Sequence, residues 1–267
     1  MNQHKALASF VVAAAVVVSA CDAVTGASGG SPIGVGSVSA RAKGTGFTTA
    51  PQIAFYRVSS ASFISPDGIR DTCFSTAYSE TGTSGTTTAS ALGAGAFITI
   101  ALGNRVDTLV RTANTLDPVY RSGSATGIPY TPGDSMVITV PGDRNGFPTS
   151  VFRGRTAEAF TMVPLVVPAN GNPINIQWTP ATDANSAMFV NFRFASGTAG
   201  SYDRQIACSF VDDGSGQVPA TVATSWIQAT QRDMIAQRLR AILTQVDVPL
   251  AYLNVVSTFD WPTPVSP

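Results

Sequence analysis

Three stretches in the second half of the chain alternate apolar and polar residues with a period of two. Ile174, Ile176 and Trp178 share one side of the run from 174 to 178. Met188, Val190, Phe192 and Phe194 share one side of the run from 188 to 194, and Ile206, Cys208 and Phe210 one side of the run from 204 to 210. A strand sends successive side chains to opposite faces, so each run predicts a half-buried strand. The inner faces of two facing sheets supply such residues. Helix-favouring charged residues are scarce: Glu80 and Glu158 are the only glutamates, and Lys5 and Lys43 the only lysines. Thr, Ser, Val and Gly dominate instead, a composition of strands and turns. The expectation is a mainly β fold of two β-sandwich-like units.

The first half carries shorter signals of the same kind. Gln52 to Val58 and Ile69 to Tyr78 read as strands, with Pro66-Asp67-Gly68 as the turn between them. Proline presets φ there and glycine accepts a positive one. Glu80 to Ser90 reads as a loop. Ala96 to Leu102 and Val106 to Thr112 read as a hairpin around Gly103-Asn104-Arg105, and Ser135 to Val140 as another strand. Asp143-Arg144-Asn145-Gly146-Phe147-Pro148 is polar and rich in breakers, which places a unit boundary there. The first unit is then 38–145 and the second 146–261. Neither Asp143-x-Asn145-Gly146 nor Asp212-Asp213-Gly214 is read as a calcium loop. The first lacks the closing glutamate, and Asp-Gly suits a hairpin turn for backbone reasons alone.

One helix is expected in the second unit. Ser225 and Gln228 have capping-box spacing. Over 226–245, Trp226, Ile227, Met234, Ile235, Leu239, Ile242 and Leu243 fall on one broad helical stripe. Arg238 and Arg240 near the carboxyl end suit the helix dipole. Leu250 to Phe259 follows as a final strand, with Trp261 leading into a short tail over 262–267.

The amino end has a different character. Lys5 precedes an uncharged apolar run from Ala6 to Ala20, followed by Cys21 and Asp22. A positive start, an apolar run and small residues before a cut site make a signal peptide. A bilayer-spanning helix takes about 20 apolar residues, more than this run offers. Val18-Ser19-Ala20-Cys21 resembles the lipobox of bacterial lipoproteins. That resemblance implies cleavage between Ala20 and Cys21, with a diacylglyceryl group on the Cys21 thiol and an acylated new amine. Each buried CH₂ contributes about 0.8 kcal/mol, and stable anchoring takes two chains or more. The Gly/Ser/Ala-rich stretch to about Ser37 reads as a lipidated, flexible tether over 21–37. Trp178 followed by an inward Cys208 looks like an immunoglobulin-like sandwich. That pattern has an earlier cysteine in the same domain, and none lies between Gly146 and Cys208.

Cys73 and Cys208 remain as a disulfide candidate in an exported chain. Cys208 lies on an apolar face and Cys73 on a more polar one, so a bridge and two unpaired thiols both stay open. The only histidine is His4, within the predicted signal peptide. That removes Ser-His-Asp machinery and histidine-ligated zinc from the mature chain. Sixteen basic residues balance sixteen acidic ones, which disfavours a nucleic-acid binder. No catalytic residue, metal ligand or cofactor motif stands out, so the chain is not read as an enzyme. The expected role is a structural or interaction module of the cell envelope. It is held in the outer or inner membrane by its N-terminal lipid and meets a protein or glycan partner. A carbohydrate-binding module using Tyr120, Tyr130 and Tyr202 is one alternative. A carboxylate-dependent hydrolase is another, and needs two carboxylates about 5–10 Å apart.

Overall fold

The computed structural model describes residues 31–43, 46–58, 70–79, 90–112, 119–197, 201–246 and 251–261. The predicted signal peptide with Ala20, the lipidation candidate Cys21, the turn at 66–68, Glu80 and the tail over 262–267 lie outside them. Among the described residues, seventeen strands and one helix follow in chain order. They are β1 (Ser31–Lys43), β2 (Gly46–Thr49), β3 (Gln52–Val58), β4 (Thr72–Ala77), β5 (Ser90–Ala91) and β6 (Phe97–Leu102). Next come β7 (Arg105–Arg111), β8 (Val119–Ser122), β9 (Ile128–Tyr130), β10 (Ser135–Val140), β11 (Ser150–Arg155) and β12 (Ile174–Gln177). The last are β13 (Ser186–Phe194), β14 (Arg204–Val211), β15 (Ser215–Val218), α1 (Ala220–Gln228), β16 (Arg232–Val246) and β17 (Ala251–Asp260). The fold is mainly β, as the alternating runs predict.

Most strands join one mixed sheet in the order β11-β10-β6-β7-β8-β3-β1-β17-β16-β13-β14-β4, and β12 pairs β15 separately. The first and last described strands, β1 and β17, lie side by side and parallel, from Ile33 opposite Tyr252 to Ala40 opposite Phe259. The sheet curls so that β11 returns to β16, where Arg240 Nη1 donates to the Arg155 carbonyl at 2.8 Å. The segment after β11 crosses to β17, where the Ala157 amide donates to Ser257 Oγ at 2.9 Å. One apolar cluster, including Ile53, Phe55, Ile98, Ile138, Phe152, Phe192, Phe210 and Val255, fills the inside.

Three sequence expectations are redrawn. The boundary at 145/146 is a hairpin turn: β10 and β11 pair across it, from Ser135 opposite Arg155 to Val140 opposite Ser150. β4, from the first half, docks on β14, from the second. Turn chemistry is common to hairpins and linkers, and only strand pairing tells them apart.

The tether read over 21–37 is strand from Ser31 onward. A Cβ on Gly34 would stand 2.5 Å from Leu253 Cδ1 and 2.8 Å from Phe55 Cε1. Gly34 therefore has a packing role: β1 runs between two strands whose large side chains fill the space in front of it.

The helix expected over 226–245 is shorter and earlier. Ala220–Gln228 forms α1 behind Pro219, with Ala223 and Trp226 buried and no side-chain cap. Ser225 is inside this helix and caps nothing. Trp226 packs edge-on against Phe192 at 5.2 Å, and its Nε1 donates to the Asp233 carbonyl at 3.0 Å. Arg232–Val246 is the long strand β16, paired with β13 on one side and β17 on the other. Its Ala, Gln, Arg and Leu favour a helix locally, but two flanking ladders hold it extended. Trp261, assigned to the approach to the tail, packs on Phe160 at 5.6 Å.

Candidate functional site

β16 carries a buried ion pair. Arg238 points inward and is fully buried, with Asp212 beside it. Arg238 Nε donates to Asp212 Oδ2 at 2.7 Å and Nη2 donates to Oδ1 at 2.9 Å. Nη1 donates to the Ala159 carbonyl at 3.0 Å and Nη2 also to the Thr179 carbonyl. Trp178 Nε1 donates to Asp212 Oδ1 at 2.8 Å, and the guanidinium lies 5.2 Å from the Phe160 ring centre. This is a satisfied buried ion pair that ties β16 to the 212–214 turn and to the strand-free segment around 159. The sequence places Arg238 near the carboxyl end of a helix; the structure puts it in a strand, fully buried. Its neighbour Asp213 accepts the Ser215 amide at 3.1 Å, so the Asp212-Asp213-Gly214 turn has both carboxylates engaged within the fold.

A second cluster lies on the opposite face of the same strands. Arg193 Nε donates to Asp233 Oδ1 at 2.9 Å, and Nη2 donates to Oδ2. Nη1 donates to the Tyr78 hydroxyl at 3.0 Å. The guanidinium sits 5.4 Å from the Tyr78 ring centre and 5.0 Å from that of Tyr202. Burial pulls the Arg193 pKa down, but Asp233 and Tyr78 outweigh it and leave it above the ordinary arginine value. The cluster is a permanently charged clamp between β13, β16 and the chain just after β4.

Two carboxylates are engaged at the turn before β13. Glu158 accepts the Thr182 amide at 3.0 Å and the Thr182 hydroxyl. Asp183 accepts the Asn185 amide at 2.9 Å and pairs with Arg240. Burial pushes the Glu158 carboxyl up, but its hydrogen bonds from Thr182 and the charges of Arg238 and Arg155 hold it below the usual value. Asp183 is lowered in the same way: burial opposes, and Asn185 and Arg240 prevail. A general acid in glycoside hydrolysis needs a raised pKa. Both carboxyls are instead held below the usual value and already hydrogen-bonded, so neither is set up as that acid.

The aromatics considered for sugar binding divide. Tyr120 is fully buried: its hydroxyl accepts the Ala94 amide at 2.9 Å and donates to the Gly95 carbonyl at 2.7 Å. Tyr130 is buried as well, and burial first, then the fields of Asp260 and Asp134, push its pKa upward. Tyr202 is half-buried with its ring on Arg193. Tyr120 and Tyr130 therefore present no exposed platform. Turn residues beside them suggested exposure, but both rings point inward.

Cys73 and Cys208 form a disulfide between directly opposite residues of β4 and β14, with Cα atoms 4.1 Å apart. Cys73, on the more polar phase of its run, is half-buried and packs against the core beside Cys208. Cys21 and Ala20 lie outside the described residues. Among the described residues, no group of three or more His, Cys, Asp or Glu is placed to hold a metal ion. No helix among them is long and apolar enough to cross a membrane. Comparison with protein-family models, with characterised proteins and with solved structures gave no match.

Proposed function

We propose that the chain is an exported cell-envelope protein, lipidated at Cys21 after cleavage behind Ala20, that works as an interaction module. The observation that carries this reading is the Cys73–Cys208 bridge. Disulfides persist in exported proteins and are rare in the reducing cytosol, which agrees with the signal-peptide pattern of residues 1–21. The acyl chains supply the membrane partner. An envelope protein supplies the other.

Support for a protein partner comes from the outward side of the curled sheet. Pairing sets Phe97 opposite Val110 and Val110 opposite Arg121 in one row. A parallel row runs Arg153, Val137, Ala101, Val106. Phe97 is 50% exposed, Val106 72% and Val110 54%. Thr99 and Thr108 lie between the two rows, and exposed large apolar side chains grouped on one sheet face mark interaction sites. These two rows hold two arginines and no carboxylate, so they suit an acidic partner surface.

Two experiments test the reading. The wild-type protein is expected to incorporate radiolabelled palmitate and to sediment with membranes, and Cys21→Ser to lose both. Labelling that survives Cys21→Ser ends the acylation claim. A photo-crosslinking side chain at Phe97 or Val106 is expected to trap one discrete envelope protein, and the same group at exposed Val166 none. Equal trapping at all three positions rules out this face.

A further inference from the structure

The segment between β3 and β5 in sequence carries β4, which stands at the far end of the sheet. Its base is closed, with Tyr56 opposite Ala91 and Arg57 opposite Ser90. Its strand, β4, adds outside β14 and ends the sheet. No side chain of β4 is buried. Cys73 packs against the core, while Phe74 and Ala77 face solvent. Apart from the disulfide, β4 is held by its ladder to β14, from Arg204 opposite Ala77 to Ser209 opposite Thr72, by the Arg193 bond to the Tyr78 hydroxyl, and by polar contacts near the surface. Thr72 Oγ1 and Ser209 Oγ are 3.1 Å apart, Asp71 Oδ1 accepts the Val211 amide at 3.0 Å, and the Tyr78 amide donates to the Asp203 carbonyl at 2.8 Å. Segments with few buried apolar contacts open first.

β14 is anchored quite differently. Ile206, Cys208 and Phe210 are buried, and its other edge pairs with β13 from Ala187 opposite Val211 to Phe194 opposite Arg204. Removing β4 therefore leaves β14 in place with a bare edge. The closed base at β3 and β5 keeps the departure of β4 from spreading.

We propose that the Cys73–Cys208 disulfide is a redox latch on β4. Oxidised, it holds β4 as the last strand. Reduced, it lets β4 leave and exposes the Arg204–Val211 edge, whose amides and carbonyls can pair with an incoming strand. The reductant is a dithiol. Its thiolate attacks the Sγ of half-buried Cys73, and the Cys208 sulfur leaves as a thiolate and takes a proton. The second reductant thiol then closes onto the mixed disulfide and releases Cys73 as a thiol. Two electrons and two protons pass to the protein, and the dithiol becomes a disulfide. The inference does not depend on acylation at Cys21.

Hydrogen exchange with mass analysis tests it on the mature chain, oxidised and after dithiothreitol, with intact mass confirming the gain of two hydrogens. Amides of residues 72–77, and those of 204–211 that point toward β4, are expected to exchange at least tenfold faster after reduction, while the 204–211 amides that bond to β13 keep their rates. Those of 186–194, 232–246 and 251–260 are expected to keep their rates. Unchanged protection at 72–77 in the reduced protein overturns the latch. So does protection lost across the whole sheet, which makes the bond a staple of the entire fold. A bond that resists dithiothreitol in the folded protein overturns it as well.

Discussion

Asp212→Asn isolates the buried ion pair with little change of shape. The amide oxygen can still accept from Trp178 Nε1, which lies 2.8 Å from Asp212 Oδ1. The negative charge facing Arg238 is lost. Side-chain exposures of 1% for Arg238 and 2% for Asp212 leave no solvent to replace it. Removing one member of a buried pair costs about 3–5 kcal/mol, because the other charge stays desolvated. Arg238 keeps its carbonyl acceptors on Ala159 and Thr179, so a loss of about 3–4 kcal/mol is expected. In urea the midpoint should fall by at least about 1 M with the slope unchanged. Adding Arg238→Met removes the stranded charge. Apolar replacement of buried pairs is often neutral or stabilising, so the double variant should be more stable than Asp212→Asn alone. A single-variant loss under about 1 kcal/mol refutes the reasoning, because it is smaller than the cost of an unpaired buried charge. A double variant less stable than the single one refutes it too, since the cost then comes from packing around Arg238.

Gly34→Val places a branched side chain where Leu253 and Phe55 already stand. Overpacking of this kind costs about 1–3 kcal/mol, and a melting temperature equal to wild type would show that β1 does not lie between β3 and β17. Acid provides another check. The folded pKa values of Glu158 and Asp183 are lowered from 4.5 and 3.8. Their stabilisation is therefore complete above those unfolded values and fades as pH falls through the folded ones. Thr182→Val removes one hydrogen bond to Glu158. The stability gap between wild type and this variant should be widest near neutrality and shrink below pH 4.5. A gap constant down to pH 3 means the hydroxyl does not act through the carboxylate.

The sequence by itself determined that the chain is built from strands, and which residues of β12, β13 and β14 face inward. A period of two is a local property, set by the alternation of Cβ directions. Ile174, Val190, Phe192, Ile206 and Phe210 therefore declare their faces without reference to any partner. Where strands stop is also local, because turns such as that at Gly103 (φ +55°) follow from backbone preferences. Tertiary structure alone decided the rest. The residues of β16 carry a helical pattern, and pairing with β13 and β17 overrides it. That exchange of period moves Arg238 from an expected helix end to a buried pair with Asp212. Gly34 and Gly36 look like tether glycines until β3 and β17 crowd them from either side. The Cys73–Cys208 bridge joins residues 135 positions apart. Their meeting depends on which strand lies at the edge of the sheet, and no window of local sequence contains that information.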